Sequence, residues 1–143
     1  MNCAFCEKPE IKERALAKND LAFAFLTNIP ITPGHTLVSP KRCVAIFSDL
    51  TTDEKIAIFQ LIDKIKIALK KTFGVEGFNF AWNEGVIGGQ GVPHFHLHVV
   101  PRKKGDGGIT EYEPRKFLYR PGNRAKTPEK ELQEIALEIK RSL

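Results

Sequence analysis

Histidines occupy three alternating positions in Pro93-His94-Phe95-His96-Leu97-His98-Val99-Val100. Side chains alternate across a β-strand, so His94, His96 and His98 share one face while Phe95, Leu97 and Val99 share the other. Such a strand needs a hydrophobic core on one side and water or a ligand on the other. The chain holds four histidines in all, the fourth being His35. Three of four on one strand face is a concentrated placement of groups that titrate, bind metal or attack an electrophile near neutral pH.

Directly before this strand runs Gly85-Val86-Ile87-Gly88-Gly89-Gln90-Gly91. Glycines let a backbone adopt positive φ and approach a ligand closely, and successive N–H groups in such a turn form an anion-binding concavity. Asn83 and Gln90 flank the glycines with amides able to hydrogen-bond phosphate or ribose oxygens. The combination points to phosphate chemistry. A catalytic zinc on two of the histidines is the rival, but it needs a carboxylate or a third free imidazole nearby. No acidic residue lies between Gly85 and Arg102.

Three cysteines, Cys3, Cys6 and Cys43, form the other constellation. An odd number cannot pair within one chain. The spacing Cys3-Ala4-Phe5-Cys6 is a knuckle that donates two thiolates to a tetrahedral zinc, which then wants two further ligands. A Cys3–Cys6 redox disulfide and three unrelated small apolar residues are the alternatives. The redox motif belongs beside a βαβ pattern, which this sequence lacks.

Asn83-Glu84-Gly85 through Pro101-Arg102 resembles the signature of the histidine-triad family of nucleotide hydrolases and transferases. Asn28-Ile29-Pro30-Ile31-Thr32-Pro33-Gly34-His35-Thr36-Leu37-Val38-Ser39-Pro40-Lys41 resembles the family's first core strands, and the likeness covers residues 1–106. The resemblance implies that His96 is the nucleophile, attacking the α-phosphorus of a nucleotide to form a nucleotidyl-imidazole that water hydrolyses. It implies that His98 binds a non-bridging phosphate oxygen. Gln90 is assigned to the bridging oxygen, and Asn83, Gly89, Gly91 and His35 to substrate binding. His35 either supports the catalytic ring by hydrogen bonding or is a satisfied core histidine. Some relatives have the Cys-x-x-Cys knuckle together with a histidine where this chain has Cys43, and use the first histidine of the triad as a metal ligand. A structural Cys3His zinc site at Cys3, Cys6, Cys43 and His94 is the expectation that follows, with no organic cofactor.

Two positions depart from the family pattern. Relatives carry Ser or Thr where this chain has Gly91, so a hydroxyl for an amine leaving group is missing and only the backbone N–H is left. Near the ribose, where Asp or Asn is common, stands Thr27, with Asn28 beside it. Arg102-Lys103-Lys104-Gly105-Asp106 is similar to the fragile-histidine-triad branch. The implied activity is cleavage of a dinucleoside polyphosphate, with an adenine nucleotide expected. A nucleoside phosphoramidase or nucleotidyltransferase, and a non-catalytic nucleotide sensor, are the alternatives.

The patterning predicts an α+β domain with an antiparallel sheet of about five strands, one long helix after the second strand pair, and a C-terminal helix. Strand signals lie near 20–26, 35–40, 77–83 and 93–101. The long helix opens on the capping box Thr51-Thr52-Asp53-Glu54, repeats Ile58, Phe59, Ile62, Ile65 and Leu69, and ends at Gly74. The final helix starts at Thr127-Pro128-Glu129 and buries Leu132, Ile135, Ala136 and Ile139. A single domain over 1–143 is expected, with a loop at 107–126, whose arginines either reach outer phosphates as a lid or decorate a connector, and the helix at 127–143. The net charge of +5 is spread over helices without interleaved aromatics, which argues against nucleic acid and suits steering of anionic nucleotides. No membrane-spanning or leader segment is read, and a cytoplasmic location keeps thiols reduced. Phe78, Phe80 and Trp82 alternate as an apolar face that serves either a core or the homodimer the family usually forms.

Overall fold

The computed structural model describes residues 3–106 and 125–143. Two short helices, α1 (Ala4–Glu7) and α2 (Pro9–Glu13), lead into strands β1 (Ala15–Lys18), β2 (Ala22–Leu26) and β3 (Thr36–Pro40). A 3₁₀ turn at Phe47–Asp49 precedes α3 (Thr52–Phe73), followed by β4 (Gly77–Ala81), β5 (Leu97–Arg102) and α4 (Glu129–Lys140). The strands form one sheet in the order β1-β2-β3-β5-β4, every neighbouring pair antiparallel. The fold is the α+β architecture expected, with the long helix following the β2–β3 pair.

Sheet alternation sorts the side chains. Ala22, Ala24 and Leu26 of β2, Val38 of β3, and Phe95, Leu97 and Val99 join Ile58, Leu61, Ile65 and Leu69 of α3 in the main core. Leu132, Ala136 and Ile139 of α4 complete it, with Ile135 half-buried at its margin. The opposite sheet face carries a smaller cluster of Ile11, Phe25 and Leu37, with Phe5 and Phe23 against it. Beside that second cluster lie the three histidines.

The capping box at the start of α3 is complete. The Thr51 side chain accepts from Glu54 N–H at 3.1 Å, and Glu54 Oε1 accepts from Thr51 N–H at 2.9 Å. Arg42 joins the same carboxylate in a two-pronged pair, Nη2 to Oε1 at 2.7 Å and Nε to Oε2 at 3.2 Å. This charge-assisted bond is the main cause holding Glu54 below the ordinary carboxylate range. It also pins the turn that presents Cys43 to the start of α3. Gly74 closes the helix in the left-handed conformation, φ 64° and ψ 38°.

Several boundaries differ from expectation. Phe59 is 52% exposed, because Ile58, Ile62, Ile65 and Leu69 already define the buried stripe and the next residue along a helix is rotated by about 100°. The histidine strand joins its ladders only at Leu97, not at 93. Phe95 N–H donates instead to Val44 O at 2.6 Å, yet the alternation of faces persists through His94. Strand β1 escapes a reading by propensity, since Ala15-Leu16-Ala17-Lys18 is poor in β-formers and depends on pairing with β2. The helix expected from 127 begins at Glu129, with Pro128 as its N-cap. The loop expected over 107–126 falls, through residue 124, outside the described residues. Among the described residues no helix is long and apolar enough to cross a membrane.

Candidate functional site

A cleft of about 820 Å³, open mouth included, lies against the histidine face of the sheet. Asn83, Gly89, Gly91, His96 and His98 stand on its walls, as the sequence expected. Gln90 and His35 are buried behind those walls. Phe5, Arg14, Phe25, Thr27, Asn28, Ile29, Ile31 and Leu37 line the remainder, and of these the sequence reading singled out only Thr27 and Asn28. Arg14 and the apolar residues carry no functional signal of their own, and the wall they form appears only in the fold.

The glycine turn is built by steric necessity. A Cβ on Gly88 would sit 2.2 Å from Glu84 O, and Gly89 has φ 93°, a region L-residues rarely adopt. Gln90 staples the turn, its Oε1 accepting from Gly85 N–H at 2.9 Å and its Nε2 donating to Ala45 O at 2.8 Å. Gly89 N–H and Gln90 N–H close the turn internally, on Val86 O and Gly85 O. Asn83 Nδ2 donates to Gly89 O at 3.3 Å. The N–H groups of Gly91 and Val92 take no such bond among the described residues, and both residues line the cleft.

Hydrogen-bond partners assign the imidazole tautomers. His96 Nδ1 lies 2.7 Å from His94 O; a carbonyl only accepts, so Nδ1 carries the proton and Nε2 keeps a lone pair. His35 Nδ1 accepts from Ile31 N–H at 3.0 Å, so its proton is on Nε2. That nitrogen donates to His98 Nδ1 at 2.9 Å, which leaves the His98 proton on Nε2. Two neighbouring rings, 5.1 Å apart, thus hold opposite tautomers. Burial is the main cause holding the His96 imidazole below its ordinary 6.5, opposed by its bond to the His94 carbonyl. The ring is neutral at pH 7. His35, almost fully buried, thus bonds His98 and not His96, with both of its ring nitrogens engaged.

His94 turns away from this chemistry. Its Nε2 donates to Pro40 O at 2.7 Å, so Nδ1 carries the lone pair, 3.0 Å from Cys3 Sγ and 3.7 Å from Cys6 Sγ. Cys43 Sγ lies 2.8 Å from Cys3 Sγ. The four expected ligand atoms all fall within 4.8 Å of one another. Burial opposes ionisation of Cys3, but the hydrogen bonds it shares within the cluster, that from Cys43 foremost, outweigh it and bring the thiol to about 6. Burial and the neighbouring Cys3 push Cys6 up to about 12 and Cys43 upward. One thiolate suppresses the next where no cation is shared, whereas a cation would draw all three ionised. Three sulfurs and one imidazole lone pair in this space fit a tetrahedral metal.

Arg14 is a buried cation at the cleft, 6% exposed, with Nη1 paired to Glu129 Oε1 of α4. Thr127 N–H donates to Asn28 O at 2.8 Å. These two contacts dock the C-terminal helix against the cleft wall.

Comparison with known proteins agrees with this geometry. A profile described as the HIT domain matches residues 8–105. An uncharacterised HIT-like protein of Mycoplasma genitalium is 41% identical over 103 residues, 71% of this chain and 73% of that protein. The bis(5'-nucleosyl)-tetraphosphatase [asymmetrical] of Schizosaccharomyces pombe is 36% identical over 102 residues, 71% of this chain but 56% of that protein. Among solved structures, a zinc-bound histidine triad family protein of Mycobacterium smegmatis superposes with a TM-score of 0.72 at 26% identity, covering 99% of this chain and 95% of that one. With two histidines on the cleft wall, a stapled glycine turn and a domain match over most of its length, the chain belongs to the HIT domain family.

Proposed function

We propose that the protein is a nucleotide hydrolase cleaving a phosphoanhydride of a dinucleoside polyphosphate through a covalent nucleotidyl-histidine intermediate. The observation that carries this reading is the pair of opposite tautomers on the cleft wall, a lone pair on His96 Nε2 beside a proton on His98 Nε2. The tetraphosphatase activity named for the S. pombe relative supports the substrate class.

In this mechanism the His96 Nε2 lone pair attacks the α-phosphorus, and the bond from phosphorus to the bridging oxygen breaks with its electrons leaving on that oxygen. The proton on His96 Nδ1 stays with the His94 carbonyl throughout, so the ring is held in line as it becomes cationic. His98 Nε2–H and the N–H groups of Gly91 and Val92 meet the charge gathering on the non-bridging oxygens. Gln90, behind the cleft wall, keeps the turn shaped from there. Water then attacks the phosphoramidate and releases the mononucleotide. Asn28 is assigned to the ribose in place of the Asp or Asn one position earlier in relatives, and the apolar end at Phe5, Phe25 and Ile31 to an adenine ring. The absent hydroxyl at Gly91 disfavours amine leaving groups. Incubation of wild type and His96→Ala with dinucleoside polyphosphates and nucleoside phosphoramidates, followed by chromatography, tests the assignment. Wild type should release mononucleotide from the polyphosphates, with the variant slower by about a thousandfold or more. Nucleotide binding without turnover would instead make the protein a sensor.

Because burial lowers the His96 pKa, most of the nucleophile is neutral at its ordinary 6.5. The acidic limb of kcat/KM should be centred below 6.5. An acidic limb centred at or above that value would contradict the assignment.

The sulfur cluster is assigned to structural zinc, bound by Cys3, Cys6, Cys43 and His94 and supplying folding energy to the N-terminus with no part in phosphoryl transfer. A cytoplasmic location, where thiols stay reduced, suits the site. Elemental analysis of purified protein should find one zinc per chain, and Cys43→Ser should lose it; a folded, metal-free wild type would refute the assignment.

Two copies are assigned to pair along the free edge of β4. Phe80 is 46% and Phe59 52% exposed, and Lys66, seven residues after Phe59 on the same helix face, reaches over the Phe78 and Phe80 rings at 5.9 Å. Sedimentation equilibrium should give a dimer that Phe80→Asp converts to a monomer, and a monomeric wild type would remove the pairing.

A further inference from the structure

Phe5 lies between two of the sulfur donors and also forms a wall of the cleft. Cys6 N–H and Glu7 N–H both donate to Cys3 O at 3.1 Å, a single helical turn that throws Phe5 toward the sheet. Its ring stands edge-on to the His96 imidazole, centroids 5.1 Å apart at 82°. It also meets His94 at 5.6 Å and Phe25 at 5.1 Å. The helix carrying it has four residues, far short of what sustains a helix alone. Two things hold that turn in place, the sulfur cluster at its ends and the ring contacts of Phe5 at its middle. From the same cluster His94 reaches the nucleophile by a second route, through its carbonyl on His96 Nδ1.

We propose that the sulfur cluster and the nucleotide cleft bind their ligands cooperatively, with Phe5 as the positioning residue that couples them. The inference rests on the zinc and nucleotide assignments above and adds a relation between them that neither requires. A nucleobase against Phe5 orders the Cys3–Cys6 turn and so retains the metal. The metal orders the same turn and so completes the cleft wall. Binding that rigidifies a shared element lowers the cost for the second ligand. The factor is the same in both directions by thermodynamic linkage, and such couplings run about 5- to 150-fold.

The test measures zinc transfer from the intact protein to a chromogenic chelator under a phosphine reductant, with and without saturating adenosine monophosphate. Adenosine monophosphate should slow transfer from wild type by about fivefold or more, and its Kd by calorimetry should weaken by about fivefold or more when zinc is stripped. Inorganic phosphate, which fills the histidine end but not the Phe5 end, should leave the transfer rate unchanged. Phe5→Ala and Phe5→Leu retain all four ligands and should keep one zinc per chain while losing the slowing. Zinc and nucleotide that both bind but ignore each other would overturn this inference alone, as would full slowing in both variants or by phosphate. A protein that holds no zinc overturns the metal assignment, and one that binds no adenosine monophosphate overturns the nucleotide assignment; either removes the coupling too.

Discussion

His94 is committed in three directions at once, and both chemical centres are built around those commitments. Its Nε2 donates to Pro40 O, its Nδ1 faces the sulfurs, and its carbonyl accepts from the next histidine of the series. Each bond fixes the one after it. Were Pro40 O absent, nothing would decide which ring nitrogen carries the proton, and the lone pair would no longer be assured to the cysteines. Pro40 ends β3 and Cys43 follows three residues later, so the same corner supplies the carbonyl that orients the ring and the thiol that meets it. Arg42, anchored to the capping carboxylate of α3, keeps that corner from drifting. The position of a thiol near one end of the sheet is thereby tied to the start of the longest helix.

The sheet separates two economies of polar groups. On the helix side Phe95, Leu97 and Val99 meet only apolar partners, and the strand contributes about what any buried strand does. On the other side nearly every polar atom is assigned. The glycine turn uses two of its own amides and one Gln90 side chain to close itself, which makes it rigid without a ligand. A preformed site costs little reorganisation when charge develops. It also leaves the amides at the end of the turn, Gly91 and Val92, and not the run of glycines as a whole, as those the proposed function calls on.

Much of this was legible in the chain because it rests on periodicity. Alternation over His94–Val99 assigned the two faces correctly even where the ladder stops at Leu97, since side-chain direction follows backbone extension and not hydrogen bonding. The capping box and Gly74 marked both ends of α3 because caps are local chemistry. The cysteine set was legible only in part: Cys-x-x-Cys is local, but Cys43 and His94 reach it through the fold. What stayed hidden depends on tertiary context. Nothing in Ala15-Leu16-Ala17-Lys18 announces a strand, nothing marks Phe5 as part of a cleft, and Arg14 meets its partner Glu129 only through the fold. The placement of Gln90 behind the cleft wall likewise follows from Ala45 O, 45 residues away in sequence.

Two histidines on one strand face, two residues apart, are chemically identical until something stands behind them. Behind His96 is a carbonyl, which can only accept, so the ring presents a lone pair. Behind His98 is a ring that must donate, because its other nitrogen already accepts from Ile31 N–H. A backbone amide in the 28–35 loop thus sets, through two imidazoles, the proton on the side of His98 remote from His35. Neither outcome requires a charged residue. On the proposed function that matters, because a carboxylate behind His98 would orient the ring equally well but would repel a phosphate bound there. Among the described residues, a carbonyl and an imidazole orient both rings, and neither places a carboxylate behind them.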